Sequence, residues 1–73
     1  MIMETITIRD EYIKLGQALK LSGMVSLGSD AKMVISDGLV QVNGETELRR
    51  GRKVVPGDVI TFEGESVRIE KRS

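Results

Sequence analysis

A chain of 73 residues has room for one domain, and a domain this small buries only about 60% of the surface its unfolded chain exposes, so a small core must carry the fold. The eleven Lys and Arg balance the eleven Asp and Glu, and there is no Cys or His, which argues against a disulfide framework, a thiolate or imidazole metal site and the usual proton shuttle of neutral-pH hydrolysis. No apolar run approaches the roughly 20 residues needed to span a bilayer, and MIMETITIRD lacks a cationic segment leading into an apolar one, so a cytoplasmic protein without a membrane partner is expected.

Met3 to Ile8 alternates, with Ile6 and Ile8 out of phase with Thr5 and Thr7, and reads as a half-buried strand. Asp10 and Glu11 suit a helix start. From Tyr12 to Ser22 the period is helical, with Tyr12, Leu15 and Leu19 on one face and Lys14, Gln17 and Lys20 over a polar arc. Gly16 weakens that helix by about 1 kcal/mol relative to Ala, which points to a close approach there. After the short connection from Met24 to Gly28, Ser29 is placed to cap a second helix. Ala31, Val34 and Ile35 form its apolar face, and Gly38 ends it in the left-handed region.

Leu39, Val40 and Val42 then lead to Asn43-Gly44, the pair best suited to positive φ at both centres of a two-residue hairpin, and Glu45 to Leu48 return as its second strand. Pro56-Gly57 predicts another turn, Val59, Ile60 and Phe62 another strand, and Ser66 to Glu70 a last one with Val67 and Ile69 inward. Lys71 to Ser73 read as a frayed tail. There is no internal repeat, low-complexity stretch or linker. The expectation is one domain over residues 1–73, of α+β class, with two short helices packed on one side of a small, mainly antiparallel sheet of four or five strands.

Between the hairpin and the Pro-Gly turn lie Arg49, Arg50, Arg52 and Lys53, with no acid among them, while Asp58, Glu63, Glu65 and Glu70 follow later. Guanidinium groups fork onto phosphate oxygens, and charge acts over a Debye length of about 8 to 10 Å, so a local patch can bind phosphate in a neutral chain. These four read as exposed loop cations that add little to stability. Asp58 suits backbone donors near its turn, and Asn43 and Gly44 have conformational work. Tyr12 and Phe62 are the only aromatics and both fall in apolar patterns, which leaves little for stacking on splayed bases and favours recognition of shape and backbone. No nucleophile and base pair, metal set or phosphate-cradling glycine loop can be assembled, so neither an enzyme nor a cofactor is expected.

The ordered set Ser29, Ala31, Val34, Ile35, Gly38, Val40, Val42, Asn43, Gly44, Val55, Gly57, Asp58 and Ile60 resembles the RNA-binding S4 domain, the family named after the fourth protein of the small ribosomal subunit. The likeness covers roughly residues 11 to 62. The segments GQALKL and RRGRKVVPGDVI look most like the small bacterial subgroup in which this domain is the whole protein. Where many members carry Arg after the Ser of the second helix, this chain has Asp30. The resemblance implies the αL motif and a monomer that binds structured RNA, with ribosomal RNA the expected target and ribosome assembly or ribosome-associated quality control the expected setting. Its implied contact surface is Lys14, Gln17, Lys20, Lys32, Arg49, Arg50, Arg52 and Lys53. The alternative is an adaptor that meets an acidic protein through the same basic loop.

Overall fold

The computed structural model describes residues 4–72; the expected strand start at Met3 and the last residue of the expected frayed tail, Ser73, lie outside them. Lys71 is paired with Ile8 in a strand and Arg72 N–H donates to the Ile8 carbonyl at 2.7 Å, so these two are not frayed. Strand β1 (Glu4–Ile8) turns Ile6 and Ile8 inward, as its alternation requires. The helical period at Tyr12 does not open a helix. Instead Ile13–Lys14 form a two-residue strand, β2, and α1 runs from Leu15 to Leu21. Lys14 is therefore the residue before the helix, and Tyr12, expected on the inner face, is 41% exposed. The physical reason lies far along the chain. The main-chain N–H groups of Leu15 and Gly16, which a helix start leaves without partners, donate to the carbonyls of Arg52 (2.9 Å) and Arg50 (3.1 Å). The basic loop thus caps α1, and no side chain does.

Helix α2 (Gly28–Ser36) also starts earlier than its sequence suggests. Leu27 is extended and its carbonyl accepts from Ala31 N–H at 3.1 Å, so Ser29 sits inside the first turn and does not cap it. The other end follows expectation. Gly38 has φ +76°, its N–H donates to the Ile35 carbonyl at 3.0 Å, and Leu39 N–H donates to the Val34 carbonyl at 3.1 Å, which is a Schellman termination.

Beyond it come β3 (Val40–Val42), β4 (Glu45–Thr46), β5 (Lys53–Val54), β6 (Val59–Phe62) and β7 (Glu65–Lys71). The main sheet has the order β1-β7-β6-β3-β4, with β1 parallel to β7 and every other pair antiparallel. Strand β5 pairs with β2 in a separate two-stranded ribbon, Ile13 opposite Val54 and Lys14 opposite Lys53. Asn43 and Gly44 take φ +54° and +84°, as predicted for their turn. Asn43 does more, because its amide Nδ2 donates to Asp58 Oδ1 at 2.9 Å while its Oδ1 accepts from Val59 N–H at 2.9 Å. Asp58 Oδ2 accepts from Val55 N–H at 3.0 Å, so the two turns brace each other around Gly57 at φ +99°. A further turn at Glu63-Gly64 (φ +53° and +78°) joins β6 to β7.

Leu15 and Leu19 of α1 and Ile35 of α2 meet Val40, Val42, Ile60, Val67 and Ile69 of the sheet, all fully buried, and Val54 of β5 closes the same core. Two helices against a mainly antiparallel sheet of five strands is the expected α+β architecture. Its effect on function is local: the ribbon and the carbonyl caps fix the basic loop against the start of α1.

Candidate nucleic-acid interface

Inside the basic loop the structure reveals a carboxylate that the cation run conceals. Glu47 is buried, and its Oε2 accepts from the main-chain N–H of Leu48 (3.0 Å) and Arg49 (3.2 Å) and from Arg49 Nε (3.3 Å). Its Oε1 accepts from Arg49 Nη2 (3.2 Å) and Arg52 Nη1 (3.0 Å). The Arg49 guanidinium is the largest influence holding this carboxyl down to about 2; burial opposes it, and Arg52 and the Arg49 N–H add to the lowering. In return Glu47 raises the Arg49 guanidinium above its ordinary value. The two arginines differ in access, since the side chain of Arg49 is 77% exposed and that of Arg52 only 32%. Arg52 is therefore not the free loop cation that the sequence suggests.

Arg50 is placed by contact with the helix. A Cβ at Gly16 would lie 2.8 Å from Arg50 Cγ, so the missing side chain lets the loop close on α1, the close approach expected at Gly16. Arg50, Lys14, Gln17 and Lys20 then line one cleft of about 420 Å³, whose wall is completed by the start of α2. On the other side of Gly51, Arg49, Arg52 and Lys53 line a second concavity of about 580 Å³. Lys53 Nζ sits 4.8 Å from the centre of the Tyr12 ring, in cation–π contact. A third concavity, of about 590 Å³, shares Gln17 and Lys20 with the first and adds Arg9 and Tyr12.

Seven of the eight expected contact residues thus come together on the two sides of one turn. The eighth, Lys32, is exposed on α2 and lines none of these concavities. Sequence reasoning missed Glu47, although the spacing Glu47, Arg49, Arg52 carried the signal of a carboxylate within reach of both arginines. It also placed Tyr12 in the core, whereas the ring lies at the edge of the basic surface.

Residues 6–70 match the model of the S4 domain family, so the chain belongs to that family. Among its relatives, a Bacillus subtilis protein named "Probable ribosome maturation protein RlbA" is 48% identical over 59 residues, which are 81% of this chain and 83% of that one. An Escherichia coli protein named "Putative RNA-binding protein YbcJ" is 38% identical over 58 residues, 80% of this chain and 83% of that one. The solution structure of YbcJ, described as revealing an αL motif involved in RNA-binding, superposes with a TM-score of 0.74 at 34% identity, covering 96% of this chain and 90% of YbcJ. The 30S ribosomal protein S4e of Thermoplasma acidophilum shares the fold at a TM-score of 0.63 and 31% identity, covering 82% of this chain and 32% of that protein.

Proposed function

We propose that the protein binds structured RNA through the surface formed by the start of α1 and the loop 49–53, and that its target is ribosomal RNA. One observation carries the reading. The carbonyls of Arg50 and Arg52 cap α1, which ties the backbone of the cation loop to the helix, and Lys14, Lys20 and Arg50 line one cleft. A loop backbone already held against the helix presents its cations to a matching set of phosphates without first being ordered, which suits recognition of folded RNA by its backbone. The names of the Bacillus subtilis and Escherichia coli relatives support RNA as the ligand and favour ribosome maturation over quality control as the setting. Lys14, Gln17, Lys20, Arg49, Arg50, Arg52 and Lys53 form the contact surface, with Lys32 at its margin. The protein acts as a cytoplasmic monomer without catalysis of its own; among the described residues no helix is long and apolar enough to cross a membrane.

Titration of the protein with ribosomal RNA fragments at increasing salt tests this. With about three or four phosphates neutralised, log affinity falls against log salt with a slope of roughly −2 to −4. Negligible affinity for every fragment, with tight binding to an acidic protein, would make the chain an adaptor instead.

A further inference from the structure

Eight glycines occur in the chain, and six have a reason within the fold. Gly23, Gly38, Gly44, Gly57 and Gly64 have positive φ, and Gly16 makes room for Arg50. Gly28 and Gly51 are left over. Neither has φ in the left-handed region, and a Cβ at either would meet nothing within 4 Å. Both carry a penalty all the same, since Gly in a helix is less favourable than Ala by up to about 1 kcal/mol and any unneeded Gly enlarges the unfolded ensemble. No contact or positive φ among the described residues offsets it. These two glycines, far apart in sequence, line the same cleft as Lys14, Lys20 and Arg50.

We propose that this cleft is a socket for a single RNA phosphate, in which Gly28 and Gly51 are bare because the phosphate, not the protein, occupies the space their side chains would fill. The inference rests on the RNA reading above and specifies where one phosphate seats. The chemistry of the lining selects the ligand. Lys14, Lys20 and Arg50 are donors only, and bare glycine lets an anion approach main-chain N–H groups closely. Among the described residues no carboxylate lines the cleft, and Asp30 in the first turn of α2 lines a different groove, beside Met33. No aromatic ring lines it either, so a base has nothing to stack on. Three donors from β2, α1 and the loop, converging without an acceptor partner among the described residues, suit a compact anion. The second concavity across Gly51, with Arg49, Arg52 and Lys53, continues the path and favours the successive phosphodiesters of an RNA backbone over an isolated anion.

The test uses Gly28→Ala, Gly51→Ala and the double variant, none of which alters a charge. Thermal melts are expected to show midpoints equal to or above that of the unchanged protein. Affinity for ribosomal RNA fragments is expected to fall about tenfold for each single change, the loss of roughly one charge-assisted contact. The salt slope should become shallower by about 0.7 to 0.9 in the double variant, as one phosphate leaves the binding count although no cation has been removed. If the unchanged protein binds these RNAs and the variants bind with the same affinity and slope, the socket is refuted while the RNA reading stands. If the unchanged protein binds no RNA fragment, the RNA reading fails and the socket with it. Lowered melting midpoints would show that the glycines serve the fold, which also overturns the proposal. A polyglutamate competitor that displaces RNA as well as a single-stranded oligonucleotide does would assign the cleft to carboxylates and overturn it likewise.

Discussion

Arg50 and Arg52 are separated by one residue, yet they stand in different physical situations. Arg52 is two-thirds covered and donates to a buried carboxylate, while Arg50 lies along the bare flank of Gly16 with no ion-pair partner among the described residues. Arg49 is intermediate, tied to Glu47 but open to solvent over most of its side chain. The three arginines of the cation run thus divide between two devices. Glu47 with its two arginines sets the shape of the loop, and Arg50 with Lys14 and Lys20 supplies charge that is not already compensated. A charge count along the sequence treats all of them alike, and would assign the loop more attraction for phosphate than the structure leaves free.

The largest effect is expected at the carboxylate. Glu47→Ala strands the N–H groups of Leu48 and Arg49 and frees both guanidinium groups, which should destabilise the fold by about 2 kcal/mol; most of that comes from the covered contacts and little from exposed Arg49. Chemical denaturation measures it. The pH dependence sharpens the assignment. Because the folded carboxyl titrates near 2 and an unperturbed one near 4.5, the unfolded state binds more protons in that interval. The contribution of Glu47 is therefore complete above about pH 4.5 and is lost as pH falls to about 2. Glu47→Gln should flatten this stretch of the stability profile. If it leaves both the midpoint and the profile unchanged, the loop is not held by the carboxylate and the distinction between Arg50 and Arg52 loses its basis.

Arg52→Ala against Arg50→Ala comes next in size. Removing Arg52 leaves Glu47 with Arg49 and the main-chain N–H of Leu48, so stability should drop by about 1 kcal/mol, while the salt slope becomes shallower by less than one full contact because Glu47 already compensates part of the Arg52 charge. Removing Arg50 should do the reverse, with stability within about 0.5 kcal/mol and a slope shallower by roughly 0.7 to 0.9. Equal effects of the two changes on both observables would mean that the loop behaves as the uniform cation cluster its sequence suggests.

What the sequence could show divides along the same line. Asn43-Gly44, Pro56-Gly57 and Gly38 were legible because each fixes φ by its own chemistry, and the signature built on them led to the S4 family and its architecture. The strand at Ile13–Lys14 was not legible. Two residues carry no period, and their partner Lys53–Val54 is a long way off in the chain. The same distance explains the displaced start of α1, whose caps come from Arg50 and Arg52, and the early start of α2 turns on the backbone of Leu27 and not on the hydroxyl of Ser29. Glu63-Gly64 went unseen because Glu rarely accepts positive φ. At the candidate site, residue types were readable and their engagement was not: which cations are compensated depends on a burial that only the folded loop creates.

The smallest expected effect concerns Lys53, which belongs to neither device. Its ammonium group lies 4.8 Å from the Tyr12 ring, at a partly exposed site, where such a contact contributes about 0.5 kcal/mol. A double-mutant cycle with Tyr12→Leu and Lys53→Met isolates it, because both replacements keep apolar bulk while removing the ring and the charge. A coupling of about 0.5 kcal/mol in stability is expected. The same cycle read by RNA affinity decides what the contact is for. If the ring positions the ammonium group for phosphate, Tyr12→Leu should weaken RNA binding only when Lys53 is present, and the salt slope should respond to Lys53→Met alone. Were Tyr12→Leu to weaken binding equally in both backgrounds, the ring would be touching RNA itself. The third concavity, which Tyr12 shares with Arg9 and Lys20, would then join the contact surface, and the division between shape-setting and charge-supplying residues would need a third member that reads a base.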